Sequence, residues 1–202
     1  MGLYRLKPAS QRLMRPLEDL VVARGITADT LTLLALPVSL AGGLALAAWR
    51  EFPPGLLAVP LLAAARLMLN LLDGLVARRT GSARPLGEVW NELGDRACDV
   101  LFLGGLALAP GVDPRIGAAA VIAALLSSYT GLAGRGAGGA RQYGGIMSKP
   151  SRMIVLAVAA PLAWATGDPV LLAAGATVVA VGSLVTMAQR LRATMAEFRR
   201  AR

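Results

Sequence analysis

Six runs of about 20 apolar residues divide this chain, at residues 30–50, 54–79, 87–109, 114–134, 152–166 and 169–190. A helix rising 1.5 Å per residue needs about 20 residues to cross roughly 30 Å of hydrocarbon. Backbone polar groups in lipid must be satisfied within their own segment, so such runs leave only helices. The expected fold class is all-α, a polytopic membrane protein of six transmembrane helices. Pro53-Pro54, Ala109-Pro110-Gly111 and Gly167-Asp168-Pro169 punctuate the turns on one side. Composition agrees: 55% of the 202 residues are hydrophobic, which is too apolar for an ordinary soluble domain.

Ahead of the first run lies a basic, amphipathic lead-in, residues 1–25, with Leu13, Met14, Leu17, Leu20 and Val21 at helical spacing. It reads as an interfacial juxtamembrane helix, with a solvated helix as the alternative. Pro16 is expected to break or start it. The remainder, 26–202, reads as one membrane domain, and no cleavable signal peptide is expected.

Net charge is +9, and the basic residues lie between the apolar runs, as membrane orientation requires; a nucleic-acid partner is not expected. Of 21 basic residues, 17 fall on one side, only Arg50 and Arg115 on the other, and Arg66 and Arg96 inside spans. The positive-inside rule then places both termini and the 70–99 stretch at the cytoplasmic face of an inner membrane. Histidine is absent and Cys98 is the single cysteine. Catalysis must therefore use carboxylates, and any metal site must be rich in oxygen.

The chemistry is concentrated in NLLDGLVARRTGSARPLGEVWNELGDRACD, residues 70–99. Asn70 and Asp73 share one helix face, and Gly74 lets a ligand approach the backbone. On the next helix Gly87, Asn91, Asp95 and Asp99 form one stripe, each four apart, with Glu88 and Glu92 beside it. Two helices with oxygen donors on facing sides suit Mg²⁺ or Mn²⁺ with a diphosphate. Ionisable groups within spans suggest function. For Arg96 an ion-pair role with Glu92 and Asp99 is expected.

This stretch resembles the CDP-alcohol phosphotransferase family, whose pattern is Asp-x2-Asp-Gly-x2-Ala-Arg-x8-Gly-x3-Asp-x3-Asp. The chain reads Asn70, Asp73, Gly74, Ala77, Arg78, Gly87, Asn91 and Asp95 at the same spacings. The resemblance implies transfer of a phosphatidyl group from CDP-diacylglycerol to a hydroxyl acceptor, with release of CMP, in phospholipid biosynthesis. It implies membrane lipids as surroundings and a homodimer. Carried over by position, Asp73, Asn70, Asn91 and Asp95 would hold divalent metal, and Asp95 would be the base for the acceptor. Gly74, Ala77, Arg78 and Gly87 would line the CDP site. Asp29 and Thr32 resemble the family's Pro-Asn/Asp-x-x-Thr entry to the first span, with Ala28 in place of proline.

Two departures stand out. Asn70 and Asn91 replace two of four acidic residues, so the site carries −2 and not −4. Two divalent ions would be poorly compensated, and one ion is expected. A non-catalytic relative that binds nucleotide or lipid is the alternative. Arg66, one turn before Asn70, would add positive charge near the site. Arg135, Arg141, Lys149, Arg152 and Arg190 could form a pocket for a phosphorylated acceptor, or serve only as positive-inside charge. Glycerol 3-phosphate is the first candidate acceptor. The phosphatidylinositol-phosphate synthase branch is similar in layout, but its lysine after Ser-Tyr corresponds to Gly131, which argues against an inositol-phosphate acceptor. The Gly-rich loop 131–151 reads either as a flexible linker or as an anion-binding loop.

Overall fold

The computed structural model describes residues 7–200, with side chains from Met14 onward. The structures of residues 1–6 and of 201–202, and the side chains of Lys7, Arg12 and Leu13, lie outside that description. Among the described residues seven α-helices follow one another: α1 Lys7–Ala23, α2 Ala28–Ala47, α3 Val59–Arg79, α4 Pro85–Ala107, α5 Pro114–Gly136, α6 Lys149–Thr166 and α7 Val170–Arg200. Among the described residues there is no strand.

Among the described residues, four segments are long and apolar enough to cross a membrane: Ala28–Ala47, Pro53–Arg79, Pro114–Gly136 and Val170–Arg200. The other two long helices differ in charge. Helix α4 carries Glu88, Glu92, Asp95, Arg96 and Asp99, and the 18-residue α6 opens with Lys149 and Arg152.

Local chemistry sets the ends. Thr27 caps α2 by accepting from the Thr30 N–H at 3.2 Å, and Asp113 caps α5 by accepting from the Arg115 N–H at 2.8 Å. Pro53-Pro54 opens the second apolar run as a short 3₁₀ turn, Pro53–Ala58, before α3 begins. Gly167, at φ +69°, closes α6 in the left-handed conformation that glycine adopts without strain. Pro16 does not break α1; it lies within the helix on its exposed side. Helix α7 extends ten residues past the expected end of the last span. Over its 31 residues it is about 46 Å long.

Two apolar clusters divide the interior. The larger joins Leu46, Leu56, Val59, Phe102, Leu106, Leu156, Leu172 and Val179, away from the 70–99 stretch. The turns on that side meet: the Trp49 indole donates to the Pro110 carbonyl at 2.9 Å, and Gly111 packs against Pro169. The smaller cluster joins Val21, Leu31, Leu72 and Val76 and seats α1 against α2 and α3. Arg79 at the end of α3 reinforces this seat through Asp19 and, at 3.6 Å, Glu18.

Helices α2 and α4 approach closely because glycine lines their crossing. A Cβ built on Gly105 would lie 2.0 Å from the Gly43 carbonyl oxygen, and one on Gly43 would lie 2.1 Å from that of Leu101. Small residues at such a crossing let backbones touch. Gly105→Leu is expected to force the pair apart and destabilise the fold by about 1–3 kcal/mol. Gly104→Leu, one residue away and in open space, serves as the control in a thermal melt in detergent.

Candidate active site

Helices α3 and α4 bring the four motif positions together as two linked pairs. Asn91 Nδ2 donates to Asp73 Oδ2 at 2.6 Å, and Thr32 Oγ1 of α2 donates to the same oxygen at 3.1 Å. Asn70 Nδ2 donates to Asp95 Oδ1 at 2.7 Å. Each asparagine thus serves the aspartate of the opposite helix. Gly94 makes this possible: a Cβ there would lie 2.6 Å from Thr32 Cγ2, so only glycine lets α4 close on α2 at this level. The sequence reading passed over Gly94, whose one signal was its place beside Asp95.

Over the Asp73–Asn91 pair lies a cavity of about 1070 Å³. Asp29, Thr32, Gly74, Ala77, Arg78 and Gly87 all line it, together with Asp73, Asn91, Arg84 and Arg135. Gly74 leaves room for the Arg78 guanidinium, which lies 3.3 Å from where a Cβ would stand. At the rim Arg84 donates to Asp29 Oδ2 at 2.7 Å. Arg84 was not foreseen as part of the site. Asn70 and Asp95 do not line the cavity.

The acidic face of α4 is matched, step by step, with basic groups from four other segments. Glu88 pairs with Arg135 of α5, and Glu92 with Arg141 of the following loop. Asp95 Oδ2 lies 2.5 Å from Lys149 Nζ of α6. Asp99 Oδ1 accepts from Arg66 of α3 at 2.5 Å, and its Oδ2 lies 3.3 Å from Arg152. Arg66 and Asp99 are both almost fully buried. This corrects the sequence reading of Arg66, which is committed to Asp99. Arg96 does reach Glu92, but its other carboxylate is Asp95, each at 3.6 Å, and not Asp99.

The five basic residues considered for an acceptor are therefore distributed. Arg190 holds the loop to α5, donating to the Ser127 carbonyl at 2.6 Å and the Gly144 carbonyl at 2.8 Å. That loop is shorter than expected: α5 continues to Gly136, and the connection is 137–148. Its backbone is held by α7, through Glu197 to Ala140 N, Gln189 to Ile146 N and Thr186 to Met147 N. At Gly131 a Cβ would stand 2.5 Å from the Gln142 carbonyl oxygen, so the loop occupies the space a side chain would need.

The donor set bears on metal binding. Two carboxylates and two carboxamides are hard oxygen ligands of the kind Mg²⁺ and Mn²⁺ accept. Among the described residues no three His, Cys, Asp or Glu side chains converge on one point. With the Asn91 amide turned by half, its oxygen and the Asp73 carboxylate would both face a divalent ion, and the donor chemistry fits such a group.

The helical bundle, with four described segments long and apolar enough to cross a membrane, opens a cavity over one carboxylate and one carboxamide, Asp73 and Asn91. The chain belongs to the CDP-alcohol phosphotransferase family and is an enzyme of that class. It is 32% identical over 191 residues to the phosphatidylinositol phosphate synthase of Streptomyces avermitilis, covering 89% of this chain and 77% of that one. It is 31% identical over 155 residues to the inner membrane protein YnbA of Escherichia coli, covering 77% of each. The phosphatidylinositol phosphate synthase of Mycobacterium tuberculosis has a similar fold, with a TM-score of 0.73 at 26% identity. Its structure with CDP-DAG bound matches 91% of this chain and 94% of that one. Another structure of that enzyme is in complex with manganese and citrate. No family model matches the chain.

Proposed function

We propose that this protein is a six-span inner-membrane phosphatidyltransferase, its site on the cytoplasmic side, that uses CDP-diacylglycerol and releases CMP. The observation that carries this reading is the cavity: its wall gathers all six residues expected to bind CDP, directly over Asp73 and Asn91. The relative that binds CDP-DAG in a similar fold supports the donor.

In this reading Asp29, Thr32, Gly74, Ala77, Arg78 and Gly87 hold the nucleotide half of the donor. Asp73 and Asn91 hold a divalent ion, with Asp95 and Asn70 behind them. The ion supplies charge neutralisation at the diphosphate. Asp95, behind that pair, would take the proton of the acceptor hydroxyl once that hydroxyl replaces one of its present donors, Asn70 or Lys149. The acceptor oxygen then bonds to the phosphorus that bears the diacylglycerol, the bond from that phosphorus to the bridging oxygen breaks, and CMP leaves.

The acceptor is a phosphorylated alcohol. Beyond their carboxylate partners, Arg96 and Arg152 each keep two buried guanidinium nitrogens, Nε and one terminal nitrogen, with no hydrogen-bond partner among the described residues. A phosphate reaching them would satisfy these donors. Inositol phosphate is favoured by the names of the relatives. The loop packed on Gly131 leaves no place for a lysine side chain there, which counts against inositol phosphate and keeps glycerol 3-phosphate as the other acceptor to test.

The test is CMP release from CDP-diacylglycerol by purified protein in lipid nanodiscs, over a Mg²⁺ and Mn²⁺ series, with each acceptor separately. Release that requires both metal and a phosphorylated acceptor is expected. Nucleotide binding without release under any condition would overturn the reading in favour of a non-catalytic relative.

A further inference from the structure

Lys149 stands where a cation would. Its Nζ lies 2.5 Å from Asp95 Oδ2 and 2.7 Å from Asn70 Oδ1, and about six-sevenths of the side chain of each ionic partner is covered. Asp95 is enclosed by this chain's own donors. Its Oδ1 accepts from Asn70, and its Oδ2 faces Lys149, with Arg96 at 3.6 Å. Asn70 is fixed in turn, with its amide nitrogen on Asp95 and its oxygen on Lys149. Turning that amide would point its N–H₂ at the ammonium. Asn91 is held by its nitrogen alone, on the Asp73 carboxylate, and a cation between the two side chains would favour turning its oxygen inward. The four motif residues thus form two unequal halves. One, at Asp73 and Asn91, opens on the cavity. The other, at Asp95 and Asn70, already holds a positive charge.

We propose that Lys149 is a resident cation that fills the Asp95–Asn70 half of the site and limits the protein to one divalent ion, bound at the Asp73–Asn91 half. The inference rests on the metal-dependent reading above. Charge is its physical basis. Asp73 and Asp95 contribute −2 and Lys149 contributes +1. One divalent ion brings the cluster to +1, a suitable charge for a diphosphate. A second would bring it to +3, with an ion pressed against the ammonium. The two asparagines and the lysine are therefore one coupled feature: Asn70 removes a charge on α3, and Lys149, 79 residues later, supplies the cation that the remaining carboxylate needs. Lys149 can do this because α6 begins at that residue, so its first turn faces α3 and α4.

The test counts metal directly. Purified protein in nanodiscs is titrated with Mn²⁺ alone, and bound ion is followed by electron paramagnetic resonance, which reports both number and spin coupling. Wild type is expected to bind one uncoupled Mn²⁺ per chain, and Asn70→Asp likewise, because Lys149 pairs with the new carboxylate. Lys149→Met combined with Asn70→Asp is expected to bind two, with the spectrum of a coupled pair. Lys149→Arg with Asn70→Asp keeps the charge and is expected to stay at one. Lys149→Gln with Asn70→Asp, which removes the charge but keeps a polar side chain, is also expected to bind two and decides the test if the methionine variant does not fold. Two Mn²⁺ in wild type, one in the methionine double variant, or two in the arginine double variant would overturn the proposal. No Mn²⁺ in wild type with one gained in the methionine double variant would keep Lys149 as the resident cation and overturn the metal dependence instead. No Mn²⁺ in any variant would overturn both.

Discussion

Asp95→Ala is expected to lower CMP release by about 10³-fold while nucleotide binding changes by no more than a few-fold. The asymmetry comes from the two pairs. Asp73 lines the cavity and is bonded to Thr32, whereas Asp95 does not line it and faces Lys149. Removing a positioned general base costs about 10²–10⁴-fold in rate. The loss here should lie near the middle of that range, with Lys149 left without its carboxylate. Asp73→Ala is expected to behave differently. It should remove both activity and metal-dependent nucleotide affinity, since its carboxylate is the only full negative charge in the cavity-facing pair. Measuring CMP release and CDP affinity on both variants separates the roles. Equal loss of affinity in the two would mean that the pairs do not divide the work as proposed.

The second large effect lies one turn deeper. Asp99→Ala is expected to destabilise the protein by about 3–5 kcal/mol, because it strands two guanidinium groups in the interior. Asp99 is fully buried between Arg66 and Arg152, which are 1% and 3% exposed. For a chain of this size the change corresponds to a fall in melting temperature on the order of 10 °C. Replacing Arg66 and Asp99 together, by Met and Leu, should recover part of the loss, since a buried pair exchanged for apolar groups is often near neutral. Recovery stays incomplete because Arg152 keeps no counter-charge. An exposed pair gives the contrast: Arg84→Ala, which breaks the contact with Asp29, should cost less than about 1 kcal/mol. If Asp99→Ala melted like Arg84→Ala, the network would not be structural.

These two carboxylates lie four residues apart on one helix, and the sequence does not distinguish them by type. What separates them is what packs against each. Asp95 meets a lysine at the start of α6 and an amide from α3. Asp99 meets two arginines in a dry interior. The same holds along α4, where Glu88 and Glu92 draw their partners from α5 and the loop after it. Arg96 shows how far spacing carries: its geometry with Glu92 was legible as an i, i+4 pair, but its second partner was its neighbour Asp95.

The sequence by itself determined the all-helical fold, the approximate bounds of its helices and the motif residues that meet at the site. Those signals are local: apolar run length, Pro and Gly punctuation, and a motif within 26 residues of chain. Only the tertiary structure decided which basic group faces which carboxylate. Lys149 meets Asn70 across 79 residues, and Arg66 meets Asp99 across 33. It also decided that the loop rests on Gly131 and that Arg66 belongs to the interior. Such pairings depend on how helices cross, and the crossings depend on glycines such as Gly43, Gly94 and Gly105, whose partners are remote in sequence. Helix formation repeats a local backbone bond, whereas charge pairing requires segments far apart in the chain to arrive at one place.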